Sequence, residues 1–144
     1  MNWIKIVISL FIVLETGNIL MLYFFPDFNL GNGMGAFKDW ERSKEDPEIH
    51  ELTSYLVNWV GNTKLIFIGL LIVLLFTAEQ QTLVIVAGVM ALCISAFYWR
   101  MFPMIKKMDR EGRIEPAGYS KTLGWMILVF IVFFLAAMLL TFLT

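Results

Sequence analysis

Glu15 is the one charged residue between Lys5 and Asp27, in the run Leu14-Glu15-Thr16-Gly17-Asn18 midway along an apolar stretch. A charged side chain at the middle of a membrane-spanning helix costs roughly 2.5–3.5 kcal/mol on insertion scales, so a glutamate kept there faces the interior of a bundle. Its chemistry would be proton exchange, cation binding or the grip of a polar headgroup. Asn18, one helical turn on, lies on nearly the same face. The plainer alternative is a hydrogen-bonded glutamate that only joins helices.

Lys64 is the partner that depth suggests. Glu15 lies ten residues before Phe25, where the first apolar stretch ends, and Lys64 lies eight residues after Leu56, where the second begins. At ~1.5 Å per residue the two Cα atoms sit ~15 and ~12 Å from the same membrane boundary. An ion pair is therefore geometrically allowed. The alternative is that the lysine stem snorkels to the headgroups.

Other polar residues carry weaker signals. Ser54, Asn58 and Asn62 recur at spacings of four, a polar stripe that either joins helices by hydrogen bonds or lines a wet cavity. Lys64 falls about 200° around that helix from Asn62, off the stripe. Ala87, Ala91 and Ser95 recur at the same spacing, and small residues so placed permit close helix approach. Gly31-Asn32-Gly33-Met34-Gly35 offers backbone amides but matches no phosphate-loop pattern, so a flexible joint is expected there. Met34, Phe37 and Trp40, with charges between them, suggest a short helix lying on the membrane surface. Asp46 and His50, one turn apart, could grip a metal, although a solvated charged face is the simpler reading. Cys93 is the only cysteine, in an apolar run where a small buried hydrophobe is expected. With a single histidine and a single cysteine the common zinc sites cannot be assembled. No metal and no cofactor is implied.

The elements that must position these residues follow from composition. Of the 144 residues, 59% are hydrophobic and 16% charged, against about 45–50% and about 25% in soluble domains. A soluble fold of this length cannot hide that much apolar surface. Four stretches, 4–25, 56–76, 82–103 and 122–143, are near the ~20 residues a spanning helix needs. The expected fold is an all-α membrane domain, a single four-transmembrane-helix bundle. The first stretch is read as a retained span, because Glu15 interrupts it and no small-residue cleavage site follows.

Punctuation refines the ends. Pro26 closes the first helix. Asp46-Pro47 starts the second near residue 47, about two turns outside the membrane. Pro103 predicts a kink in the third helix, Gly112 its stop, and Ser120 a cap for the fourth. Lys38, Arg42, Lys44, Lys106, Lys107, Arg110, Arg113 and Lys121 share one side, with Arg100 just inside it, whereas the other side holds only Lys5. Basic residues stay cytoplasmic, which predicts N-out/C-out topology with two charged cytoplasmic loops. Trp59, Trp99 and Trp125 lie toward that side as interface anchors, and Arg100 is expected to reach the headgroups.

The stretch from Leu14 to Met21 resembles the small multidrug resistance transporters, in which a membrane-embedded glutamate of the first helix exchanges protons for cationic drugs. The long charged first loop, Lys64 and the lack of a matching glycine motif depart from that family. In topology alone the chain is similar to the glutathione-using membrane enzymes of eicosanoid metabolism, without their arginine-and-asparagine signature.

The leading expectation is a small integral membrane protein, multi-pass in a prokaryotic cytoplasmic membrane, that binds or transports a proton, cation or small amphiphile at Glu15. Its alternatives are an accessory or assembly subunit and, third, a membrane enzyme acting on lipid, for which no nucleophile, base and oxyanion constellation is visible. Expected partners are the lipid bilayer and either a homo-oligomer or another membrane subunit. A net charge of −1 argues against nucleic acid.

Overall fold

Helix boundaries in this chain are set by local capping chemistry. The computed structural model describes residues 2–29 and 33–143, and there it is all-helical, without a strand. The helices are α1 (Trp3–Phe24), α2 (Lys38–Ser43), α3 (Pro47–Thr77), α4 (Gln80–Ser95), α5 (Phe97–Arg110) and α6 (Tyr119–Leu143), with a 3-10 turn at Met34–Ala36. Asn2 caps α1 by accepting the Lys5 N–H at 3.2 Å. The Asp46 carboxylate accepts the Glu48 and Ile49 N–H groups at 3.1 and 3.3 Å, and Pro47 opens α3. Beyond α5, Gly112 takes a φ of +68°, a left-handed position that glycine occupies without strain.

Contrary to expectation, Ser120 does not cap α6 with its own side chain. The cap is Asp109 of α5, whose carboxylate accepts the Gly118 and Ser120 N–H groups and the Ser120 hydroxyl at 2.9, 3.0 and 2.5 Å. Pro103 lies inside α5, and the helix continues past it to Arg110. The interruption falls one to two turns earlier, at Ala96, whose N–H bonds back three residues to the Cys93 carbonyl at 3.2 Å. Beside the interruption the Ser95 hydroxyl donates to the Ala91 carbonyl at 2.7 Å, a back-bond that Thr16 and Thr63 also make inside unbroken helices.

Because α4 and α5 are nearly continuous, four rods are long and apolar enough to cross a membrane: Trp3–Phe24, Pro47–Thr77, Gln80–Arg110 and Tyr119–Leu143. α1 is central and packs on α3, α6 and α4, while α4 also runs along α6. Ala87 and Ala91, both buried, let α4 approach closely. Phe11 fills the middle of the bundle with its ring 5.4 Å from that of Phe130 and 5.5 Å from that of Phe134. Most remaining large apolar side chains point outward, as they would into lipid. Cys93 is among the exposed residues, not a buried hydrophobe as expected, because it sits on the side of α4 opposite Ala87 and Ala91.

The two longer connections are tied to each other at one end of the bundle, the basic end. Phe37 and Ile114 form an isolated antiparallel bridge, with Lys38 N–H on the Arg113 carbonyl and Glu115 N–H on the Ala36 carbonyl, both at 2.9 Å. Arg113 holds Asp39 through Nε at 2.9 Å and Nη2 at 2.6 Å. Met34, Phe37 and Trp40 do not share one helix: Met34 opens the 3-10 turn, Phe37 bridges to Ile114, and Trp40 lies in α2. Trp40 is buried against Leu22 and Val57, because packing on α1 and α3 covers more of its ring than an interfacial position would. The Gly31–Gly35 stretch lies partly outside the described residues, at 31 and 32. Gly35 itself is fixed by its N–H on the Pro26 carbonyl at 3.1 Å, so it is no flexible joint.

Asp27 anchors this clasp, accepting from Trp40 Nε1 and Lys44 Nζ, each at 2.7 Å. The Lys44 ammonium first, and the Trp40 indole second, hold the Asp27 carboxyl below the usual carboxylate range. A depressed folded value means the contribution is complete above the unfolded value of about 3.9 and is lost as pH falls through the folded one. Acidification below about pH 4 should therefore loosen Trp40, read as a shift in its fluorescence. Asp27→Asn should flatten that acid transition, and an unchanged transition would assign it to other groups.

Candidate functional site

Three polar side chains converge inside the bundle. The Glu15 carboxylate accepts from Lys64 Nζ through one oxygen and from Asn18 Nδ2 at 3.0 Å through the other. α1 supplies Glu15 and Asn18 from one face, three residues apart, and α3 supplies Lys64 from the face that buries Val57, Gly61 and Ile68 against α1. The close approach that lets the lysine reach α1 is made at Gly61, where a Cβ would stand 2.9 Å from the Tyr23 ring. The Glu15 side chain is 14% exposed and that of Lys64 28%. Neither charge is bare, since each faces the other and the asparagine amide completes the carboxylate.

A cavity of about 150 Å³ adjoins the pair, lined by Phe11, Glu15, Asn18, Lys64, Ile94, Leu123, Met126, Ile127 and Phe130. Its wall is apolar except for the triad. The volume falls below the ~300–1,000 Å³ of drug-sized pockets and holds a handful of waters, each taking ~30 Å³ of liquid volume. No protein-family model, curated protein or solved structure matches this chain. The chemistry of the site is therefore carried by its own residues.

The remaining candidates lie elsewhere. Asn58 and Asn62 are exposed, and among the described residues their side chains bond to no other helix, although the Tyr23 hydroxyl of α1 donates to the Asn58 carbonyl at 3.3 Å. The Asn58 amide donates to the Ser54 carbonyl of its own helix at 2.9 Å, and Ser54 is half-buried. Trp59, Trp99 and Trp125 are exposed, Trp99 at 83%, and Arg100 is exposed beside it. Asp46 is occupied as the α3 cap, while His50 Nδ1 pairs with the Ser43 hydroxyl at 2.9 Å, so the two do not form a metal grip. Among the described residues no group of three or more His, Cys, Asp or Glu could hold a metal ion.

Sequence reading missed the second cavity, about 550 Å³, between α2, the start of α3 and α5. Met34, Phe37, Trp40, Ile49, Met101, Met104, Ile105 and Met108 give it an apolar wall. The recurrence of methionine at 101, 104 and 108 was its only signal, because the opposite wall comes from a loop whose packing is not local.

Proposed function

We propose that the protein is a small multi-pass membrane protein that binds a small amphiphilic cation at the interior Glu15–Asn18–Lys64 site, with the basic end cytoplasmic and both termini outside. The carrying observation is the cavity that touches both members of the ion pair. A carboxylate already neutralised by lysine does not attract a bare cation strongly, since the newcomer must displace Nζ. An alkylammonium offers a like replacement: its head takes the place of the Lys64 ammonium, whose flexible stem swings toward the basic end, and its chain lies on Phe11, Ile94 and Phe130. A proton is the alternative exchange partner, protonating Glu15 as Lys64 withdraws. The orientation rests on the distribution of lysine and arginine.

Hexylammonium is a suitable probe in detergent or lipid nanodiscs. The wild-type carboxylate infrared band should shift on its addition, and Glu15→Gln, still helical although less stable for want of the Lys64 partner, should show no such shift. A band that does not respond to hexylammonium would make Glu15 helix glue. The accessory-subunit reading would then stand in its place, a reading favoured by the outward Asn58 and Asn62.

A further inference from the structure

Two outward flanks of the molecule carry opposite charge at the same depth. On α3, Glu48, Glu51, Tyr55, Asn58 and Asn62 recur at alternating spacings of three and four, and all are exposed. Gly69 and Phe76 continue the same seam, also exposed. On the rod made of α4 and α5, Leu92, Trp99, Lys106 and Arg110 follow the same rhythm and are exposed too. A 3.5-residue repeat is the spacing with which one helix packs along another.

The seams point away from each other. Ile49 and Thr53 of α3 face Met101, Met104 and Met108 of α5 across the larger cavity, and each seam lies on the opposite side of its helix from that cavity. Neither seam can thus satisfy the other within one chain. Among the described residues, Glu48 and Glu51 have no basic partner, Lys106 and Arg110 have no acidic one, and the Asn62 side chain makes no hydrogen bond. Asn62 lies ~9 Å beyond Leu56 toward the membrane centre, where water is scarce and an unsatisfied amide is costly.

We infer that the chain self-associates in the membrane by docking the α3 seam of one copy on the α4–α5 seam of the next. Depths agree: Glu51 stands ~7.5 Å outside Leu56, between Lys106 and Arg110 at ~4.5 and ~10.5 Å outside Pro103, and Asn58 is level with Trp99 within ~3 Å. The two helices also run antiparallel, as consecutive spans do. A symmetric α3–α3 pairing would instead set Glu48 and Glu51 against their own copies. Because the two patches differ, the contact is head-to-tail and each copy keeps one free face unless a ring closes.

Oxidative cross-linking in native membranes tests this, in a Cys93→Ser background with two differently tagged copies. Asn58→Cys in one copy and Trp99→Cys in the other should yield the mixed cross-link, with neither variant pairing with itself. Lys106→Glu with Arg110→Glu should lower that yield several-fold, and adding Glu48→Lys with Glu51→Lys to both copies should restore it. The charge effect should shrink in high salt. Self-pairing of Asn58→Cys would overturn the arrangement in favour of an α3–α3 dimer. Absence of any cross-link, with a monomer in mild detergent, would overturn self-association. Charge reversal that changes only retention of anionic lipid would assign the basic ridge to headgroups and overturn it as well.

Discussion

Lys64→Met should destabilise the bundle by about 3 kcal/mol, because it leaves the Glu15 carboxylate without a cation inside the apolar layer. Removing one partner of a buried pair costs about 3–5 kcal/mol, and the partial exposure of Lys64 places this case at the low end. Asn18 cannot take over, since one amide hydrogen bond does not neutralise a charge. Combining Lys64→Met with Glu15→Gln should recover most of the loss, leaving about 1 kcal/mol or less, since hydrogen bonds between membrane helices average about 0.6 kcal/mol. Reversible unfolding in mixed detergent reads all three variants, and their double-mutant cycle gives the coupling. Should Lys64→Met match the double variant in stability, the pair would contribute nothing and Lys64 would be a snorkelling lysine.

Gly35→Ala should cost about 2 kcal/mol, within the 1–3 kcal/mol typical of overpacking. A Cβ at Gly35 would stand 2.0 Å from the Asp27 carbonyl oxygen and 2.6 Å from its carbon, so main chain rather than a flexible side chain must give way. Such a shift also pulls Gly35 N–H off the Pro26 carbonyl and disturbs the Asp27–Trp40 bond. Trp40 fluorescence should shift together with a lower unfolding midpoint. Gly17→Ala is the matched control: nothing lies within 4 Å of its Cβ, and alanine in a helix gains up to about 1 kcal/mol over glycine. Equal effects from the two substitutions would show that close packing at Gly35 is unimportant.

The four apolar rods were legible in the sequence because lipid imposes a long, local requirement that each stretch meets alone. Asp46-Pro47 was equally readable, since an N-cap and its helix are adjacent in sequence. Glu15 stood out by its isolation, and depth alone brought Lys64 to its level. What local pattern could not supply was the facing of each helix. Asn58 and Asn62 are turned outward, and Cys93 is exposed, because rotation is set by which neighbours pack, not by a residue's type. The break at Ala96, between α4 and α5, carried no signal in the sequence, which holds neither proline nor glycine there. The clasp between 36–39 and 113–115 joins residues more than seventy positions apart, so no local signal announced that the two loops form one unit.

That clasp makes the two ends of the molecule mechanically unequal. At the basic end, the bridge between Phe37 and Ile114 and the Arg113–Asp39 pair link the connection after α1 to the one before α6. At the opposite end, among the described residues, the polypeptide itself joins helices through the short turn between Thr77 and Gln80. Apolar packing holds that end instead, since Ile4, Ile8 and Leu83 are fully buried there. α1 is thus fastened by directional polar bonds where it leaves the bundle near Asp27 and by close packing where it begins.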